Sequence, residues 1–590
     1  MEIQRTVLWV VFAMSILLLW DNWQRHQGRP SMFGLSPPTS APPRSDSAPP
    51  VPGKAAPLEG SVPAPAQKAA EVPAPTVSPA AAPGALPQPA PSSAPRVAIE
   101  TDMVRAEIDP TGAVLARVEL LNQDVAPDWT SSGLVGLVTG KKQDADANVV
   151  LLDWTANRVY LARTGVTGPG QARYPNHLTP FALVEDGTRG PRKLAAGADQ
   201  LEVKFAAETG GVRLIKTWVF KRGRYDIGVR HELQNTSSEA ITPSIYLQLV
   251  RDGNKPEGES TLYYTFTGAA VFTDAQKFQK ITFEEIAGKK PAHVAEAKDG
   301  WIAMIQHYFV AAWVPPQGTH REIRTAQDSN NLYSIGTVMP LTSIAPGASA
   351  ESRATLWVGP QDQNQLEAIA PGLDLVVDYG WLTFLSKPLY WLLEFFHRLV
   401  GNWGWAIILL TILVKGAFYP LSAASYRSMA RMKEVTPRLM KIREQYGNDK
   451  QKMNVAMMEL YKTEKINPLG GCLPIVVQIP VFIALYWVLL ASVEMRNAPW
   501  MLWIGDLATP DPWFILPVAM VGTMIVQYKL NPTPPDPIQA KVMATMPYIF
   551  GVMFFFFPAG LVLYWLINNI LSIVQQWYVM KQIAKAKPVG

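Results

Sequence analysis

Five apolar runs, at about residues 402–421, 471–493, 513–528, 542–557 and 561–580, fill most of the last third of this 590-residue chain. Such runs have few ways to fold. In lipid their backbone N–H and C=O groups find no water, so each run must close its own hydrogen bonds as a helix. The runs at 513–528 and 542–557 are short, about 24 Å as straight helices against a hydrocarbon core of about 30 Å. A locally thinned bilayer is the expected accommodation.

Upstream, the chain changes character four times. Residues 1–25 carry Arg5 and then the apolar run from Val7 to Trp20, with no small-x-small cleavage pattern after it, so an uncleaved membrane anchor is expected. It brings the spans to six. Residues 26–95 are rich in Pro, Ala and Ser and hold 19 of the 51 prolines, a composition that buries no core and predicts a disordered spacer. From 96 to 377 short alternating segments recur between Gly, Pro, Asn and Asp, among them 97–100, 201–205, 212–220, 225–233, 245–250, 301–314, 331–338 and 352–358. Period-two alternation at that spacing predicts a large antiparallel β-sandwich. Residues 378–400 switch to helical spacing, with Trp381, Phe384, Leu385, Leu389, Leu392, Phe396 and Leu399 on one face, which predicts an amphipathic helix in the headgroup plane. The fold class is therefore a polytopic α-helical membrane protein, six spans with a five-helix core at 401–580, carrying a β-sandwich.

Charge sets the orientation. The 422–467 loop holds ten Lys or Arg against five acidic residues, and the short tail 581–590 adds Lys581, Lys585 and Lys587, whereas 494–511 has one Arg and three acids. The positive-inside rule places the basic loop and both termini in the cytosol and the sandwich outside it. Cys472 is the sole cysteine, so no disulfide forms within the chain, and it reads as a small packed thiol. No HExxH, CxxC, GxSxG or phosphate-cradling glycine loop occurs, which argues against an enzyme, a metal and a cofactor.

Lys415 stands inside the first of the five runs, where a central Lys costs roughly 2.5–3.5 kcal/mol and marks a candidate site. Thr411 and Ser422 share its helical face. In the last run Tyr564, Trp565, Asn568, Asn569, Ser572, Gln575 and Gln576 fall within an arc of about 140° at 100° per residue. Gln478 and Gln527 add amides to two more runs. These side chains need partners or water, so a shared hydrated cavity is the economical arrangement; snorkelling of Lys415 and ordinary helix packing are the competing readings. The 422–467 loop reads as a helical hairpin turning at Gly447-Asn448, with Met429, Arg431, Met432, Lys441 and Arg443 suited to apolar partners and anionic surfaces, against a bland reading as a solvated hairpin packed on itself.

Taken in order, Val400-Gly401-Asn402-Trp403-Gly404-Trp405, Lys415-Gly416 to Tyr419-Pro420-Leu421, Asn467-Pro468-Leu469-Gly470-Gly471-Cys472-Leu473-Pro474, Asp536-Pro537, Met546-Pro547 and Phe557-Pro558-Ala559-Gly560-Leu561-Val562-Leu563-Tyr564-Trp565 resemble the YidC/Oxa family in its Gram-negative form. The resemblance implies an inner-membrane insertase and chaperone with a periplasmic β-domain and a groove open to cytosol and lipid. It further implies work alone or with the Sec translocon, SecYEG with its accessory SecDF, on nascent membrane proteins. Lys415 takes the place of the family's groove cation, Thr411 that of its substrate-contacting Thr, and Tyr564 and Trp565 that of its aromatic pair. Two departures stand out: the cation is usually Arg, and the short tail weakens the case for ribosome binding. Competing readings are a transporter or channel using Lys415, which calls for inverted repeats that the sequence lacks, and a glycan-binding module in the sandwich.

Overall fold

The computed structural model describes residues 95–586 apart from 126–132, 140–146, 156, 170–172, 185–189, 257–264, 290–291, 330, 447–448, 465–472 and 532–536. The expected anchor and spacer, the Gly447-Asn448 turn, Cys472 and the end of the tail lie outside the described residues.

Residues 97–360 build two facing sheets, one of ten strands and one of nine. Pairing is antiparallel except where Val97–Glu100 meets Arg192–Lys193 in parallel. Every alternating segment expected as a strand is one, but the run at 301–314 is two. Trp301–Gln306 and Phe309–Val314 fold back at His307-Tyr308, where Tyr308 takes φ 67°. Some strands are not among those expected from the sequence. Val159–Thr167 is one of them: it is buried at every residue yet carries Arg163, Thr164 and Thr167, so its sequence shows neither clean alternation nor an unbroken apolar run.

Large side chains pin one sheet to the other with their polar ends. The Trp218 indole donates to Ala113 O at 3.1 Å, the Tyr160 hydroxyl to Met304 O at 2.9 Å and the Trp313 indole to Gln248 O at 3.2 Å. Lys216 does the same from a fully buried position, its ammonium 2.6 Å from Gly112 O and 2.8 Å from Thr164 O, over the Phe181 ring. The carbonyls hold the proton, while burial pushes the pKa down to about 7; burial likewise lowers His177 and His231 to about 3. The unfolded chain thus binds more protons than the folded one from about pH 10.4 to 7 and again from about 6.5 to 3, so stability falls as pH drops through both windows. Urea unfolding of the full chain, followed by tryptophan fluorescence, is expected to show a midpoint that falls between pH 9 and pH 7, a drift that flattens in Lys216→Met. An unchanged slope in that variant would refute the assignment.

Beyond the sandwich the chain is helical. A short helix on a sandwich loop is α1 (Gly133–Thr139), and the α-helices that follow residue 380 are α2 (Thr383–Val400), α3 (Trp403–Ala417), α4 (Tyr419–Tyr446), α5 (Lys450–Thr463), α6 (Leu473–Ala491), α7 (Ile515–Leu530), α8 (Pro537–Phe554) and α9 (Ala559–Ala586). Local chemistry sets the joints. Gly401, at φ 67°, ends α2 by donating to His397 O, and Asn402 caps α3 by accepting from the Trp405 N–H at 3.1 Å. The run expected as one span at 402–421 is broken at Phe418, where α3 and α4 meet at a 63° bend. Pro420 is the cause, since it has no N–H for the Gly416 carbonyl four residues back.

Among the described residues no single helix is long and apolar enough to cross a membrane, although α3 and α4 together are, and 477–491, 515–530 and 540–554 form shorter apolar helices. The helix expected in the headgroup plane is α2, but its stripe divides. Leu389, Tyr390 and Leu393 pack inward, with Leu385, Leu392 and Phe396 partly covered, while Trp381, Phe384, Trp391, Phe395 and Leu399 face outward. An aromatic-rich helix of this kind has two apolar faces, which a single-stripe reading merges.

The sandwich is tied to this helical region at several points. His307 Nε2 lies 3.1 Å from Leu490 O, the Arg496 guanidinium sits over Tyr308 and Phe309 at 5.3 and 4.8 Å, and Lys280 pairs with Asp378. Beneath them Tyr390 donates to Glu494 Oε1 at 2.6 Å.

Candidate functional site

Three helices converge on the end of α3. Lys415, in its last turn, is only 5% exposed, and its ammonium points across the bundle to Ser572 Oγ of α9 at 2.7 Å and Gln478 Oε1 of α6 at 3.4 Å. Gln478 in turn donates to Asn568 Oδ1 at 2.9 Å, Gln575 Nε2 donates to the Lys415 carbonyl at 3.2 Å, and Ser572 Oγ bonds back to Asn568 O at 2.8 Å. The Tyr426 hydroxyl of α4 reaches Ser572 O at 3.2 Å, which ties the first turns beyond the bend to the same cluster. Among the described residues no carboxylate lies within ion-pair distance of Lys415. Among the described residues the groups bonded to the Lys415 Nζ are a neutral hydroxyl and a neutral amide, so the amine has no counter-charge there. The side chain crosses to the neighbouring helices α6 and α9 and does not run along α3 toward its end.

The polar arc of α9 is split between two neighbours. Asn568, Ser572 and Gln575 face Lys415 and Gln478, whereas Asn569 donates to Thr523 Oγ1 at 2.9 Å and Gln576 to Asn531 Oδ1 at 3.1 Å, on the side of α7. Gln527, half-buried on α7, makes no side-chain hydrogen bond to either set among the described residues. Thr411 is 1% exposed and turns its hydroxyl back to Ile407 O at 2.6 Å, one turn from Lys415.

Tyr564 and Trp565 lie two turns from Ser572 toward the start of α9 and belong to an aromatic plug. Trp565 stacks on Phe482 with centroids 5.6 Å apart and meets Phe554 at 4.7 Å and Phe557 at 5.4 Å; Tyr564 lies 6.0 Å from Phe482. Every residue from Ala559 to Leu566 is buried, and exposure begins at Ile567. The bundle is therefore packed at one end and polar toward the other. The Tyr564 hydroxyl, the Trp565 indole N–H and Gln575 Oε1 are buried with no hydrogen-bond partner among the described residues.

The basic hairpin packs largely on itself. Val435 and Leu439 are covered by Met432, Met457, Leu460 and Tyr461, and Arg438 pairs with Glu464. Met429 and Arg443 are half-buried, Arg431 and Lys441 are exposed, and Met440 and Met458 present about half their surface to solvent. Tyr426 is the cluster member that the sequence gives no reason to expect. Ser572 stands in the polar arc of α9, whereas a tyrosine just past a helix break carries no signal.

Two family models cover the chain: one described as the YidC periplasmic domain matches residues 96–392, and one described as the 60Kd inner membrane protein matches 395–586. The membrane protein insertase YidC of Bordetella petrii is 52% identical over 586 residues and that of Bordetella pertussis 53% over 589, each alignment spanning 99% of both chains. A crystal structure of an active YidC insertase with its first transmembrane domain resolved aligns with 82% of this chain and 93% of its own, at 17% identity and a TM-score of 0.37. On the two family models and on identity along the full length, the chain belongs to the YidC family of membrane protein insertases.

Proposed function

We propose that this chain inserts nascent membrane proteins by receiving a hydrophilic tail at the Lys415 cluster while the apolar segment of the substrate partitions into lipid beside it. The observation that carries this reading is a buried cation ringed only by neutral donors and acceptors, next to an aromatic plug. The ammonium attracts acidic residues of a tail; Gln478, Asn568, Ser572 and Gln575 exchange hydrogen bonds with a passing backbone; Tyr564, Trp565 and Phe482 keep the far end shut. No covalent chemistry or nucleotide is involved. Burial of a span of about twenty residues, at roughly 25 cal/mol per Å² of apolar surface, far exceeds the cost of moving a short tail through a thinned barrier.

The topology that goes with this is six spans with both termini and the basic hairpin in the cytosol and the β-domain in the periplasm. The exposed Arg431 and Lys441 suit anionic lipid headgroups, and SecYEG with SecDF is the expected partner for larger substrates. Neither the transporter nor the glycan-binding reading has a specific observation in its favour.

The test is insertion of a small single-span substrate into liposomes containing the purified chain alone. Excision of the β-domain from 96 to 370, with the connection to α2 kept, is expected to leave most of that activity. The excision has to be complete, because removing 97–300 strands the five strands from Trp301 to Pro360 without the partners that cover them. Failure of the intact chain to insert the substrate would overturn the proposal. Total loss in a stable, correctly oriented excision variant would refute a mechanism confined to the helices.

A further inference from the structure

Helix α1 is an apolar helix, Gly133-Leu134-Val135-Gly136-Leu137-Val138-Thr139, on the surface of an otherwise well-covered sandwich. Leu134 is 46% exposed, Leu137 72% and Val138 81%. Its location is what gives this exposure meaning. The Leu134 N–H donates to Pro512 O at 2.9 Å, and Gly133, at φ +56°, lies so close that a Cβ there would sit 2.0 Å from the same oxygen. Just before α1, Asp124 O accepts from Arg496 at 2.8 Å and from Asn497 at 3.5 Å. The sandwich segment that leads into α1 is thus held to the loop joining α6 to α7 at two points, Asp124 and the first turn of α1.

That loop has an apolar rim of its own. Pro512 is three residues ahead of α7, and Met501, Leu502, Trp513 and Ile515 are exposed around it, Leu502 at 80%. Trp at the mouth of an apolar helix is the signature of a headgroup-level anchor. Pinned to Pro512, the exposed Leu137 and Val138 lie within about two helical turns of that level.

We propose that α1 enters the outer leaflet at the headgroup–acyl boundary and gives the β-domain a lipid contact of its own, continuous with the rim of the α6–α7 loop. The occupant of this face is the bilayer, by continuity with the apolar rim to which α1 is fastened. This inference rests on the membrane-spanning reading of α7.

The test uses the full chain with Cys472→Ser, one copy per nanodisc, with an environment-sensitive fluorophore on Leu137→Cys or Val138→Cys and doxyl-labelled phospholipid in the disc. Labels at Leu399→Cys on α2 and Val518→Cys on α7 serve as references. Blue-shifted emission at 137 and 138, quenched at least twofold by doxyl near the headgroup and less by doxyl deep in the chain, supports the inference. Water-like emission there, with both references quenched, overturns it. Blue-shifted emission without quenching also overturns it, because the face is then covered by protein. Loss of quenching at Val518 would instead refute the spanning reading of α7.

Discussion

Lys415→Glu is expected to lower insertion of acidic-tailed substrates at least tenfold, whereas Lys415→Arg keeps it within about twofold. At about 6 Å and an effective dielectric near 20, one unit charge attracts another by ~3 kcal/mol, and hydration of the tail leaves about half of that, ~1.4 kcal/mol, or a factor of about ten. Reversal of the sign turns the attraction into repulsion of the same size. The fold tolerates the change because Ser572, Gln478 and Asn568 each donate as readily as they accept, so a carboxylate at 415 still finds hydrogen bonds. Arg keeps the charge but spreads it over a planar fork, and Gln575, which holds the Lys415 backbone and not its side chain, stays where it is. Lys415→Ala is expected to fall between the two, with tails lacking acidic residues nearly unaffected. The measurement is the initial rate of insertion of a neutral-tailed and an acidic-tailed substrate by each variant in liposomes. Equal rates for Ala and wild type on both substrates would remove Lys415 from the mechanism and leave it a structural link between α3 and α9.

The candidate cluster was legible because it violates its surroundings. An ammonium in an apolar run is conspicuous, and so is a helix with seven polar or amphipathic residues on one arc. What the sequence does not contain is how that arc is shared. Asn569 and Gln576 lie only 40–60° from Ser572 on the helical wheel, yet they serve α7, because the neighbours of α9 are set by packing between segments far apart in the chain. The break at Phe418 had a local signal in Pro420 that the apolarity of the run concealed. In the β-domain many strands show through their alternation, while Val159–Thr167, buried throughout yet carrying Arg163, Thr164 and Thr167, shows neither alternation nor an unbroken apolar run.

Removal of residues 429–462, bridged by a short glycine-rich linker, is expected to reduce insertion more than tenfold without dismantling the bundle. The hairpin beyond Met429 holds together through Val435, Leu439, Met432, Met457, Leu460 and Tyr461, contacts that lie within itself. The first turns of α4 behave differently, since Ser422, Ala423 and Ser425 are buried and Tyr426 bonds Ser572 O; the excision leaves all of them in place. Antiparallel helices pack about 8–10 Å apart, so a linker of a few residues closes the gap. What is lost is an exposed cationic surface, Arg431 and Lys441, with Met440 and Met458 beside it, at the polar end of the bundle where a substrate tail must enter. Flexible thioethers fit varied apolar segments, and the cations hold the surface against anionic headgroups. The excised chain should therefore melt within a few degrees of the wild type by circular dichroism and still fail in the liposome assay. Near-normal insertion by such a chain would reduce the hairpin to a connector, and the entrance would then have to be formed by α3, α6 and α9 alone.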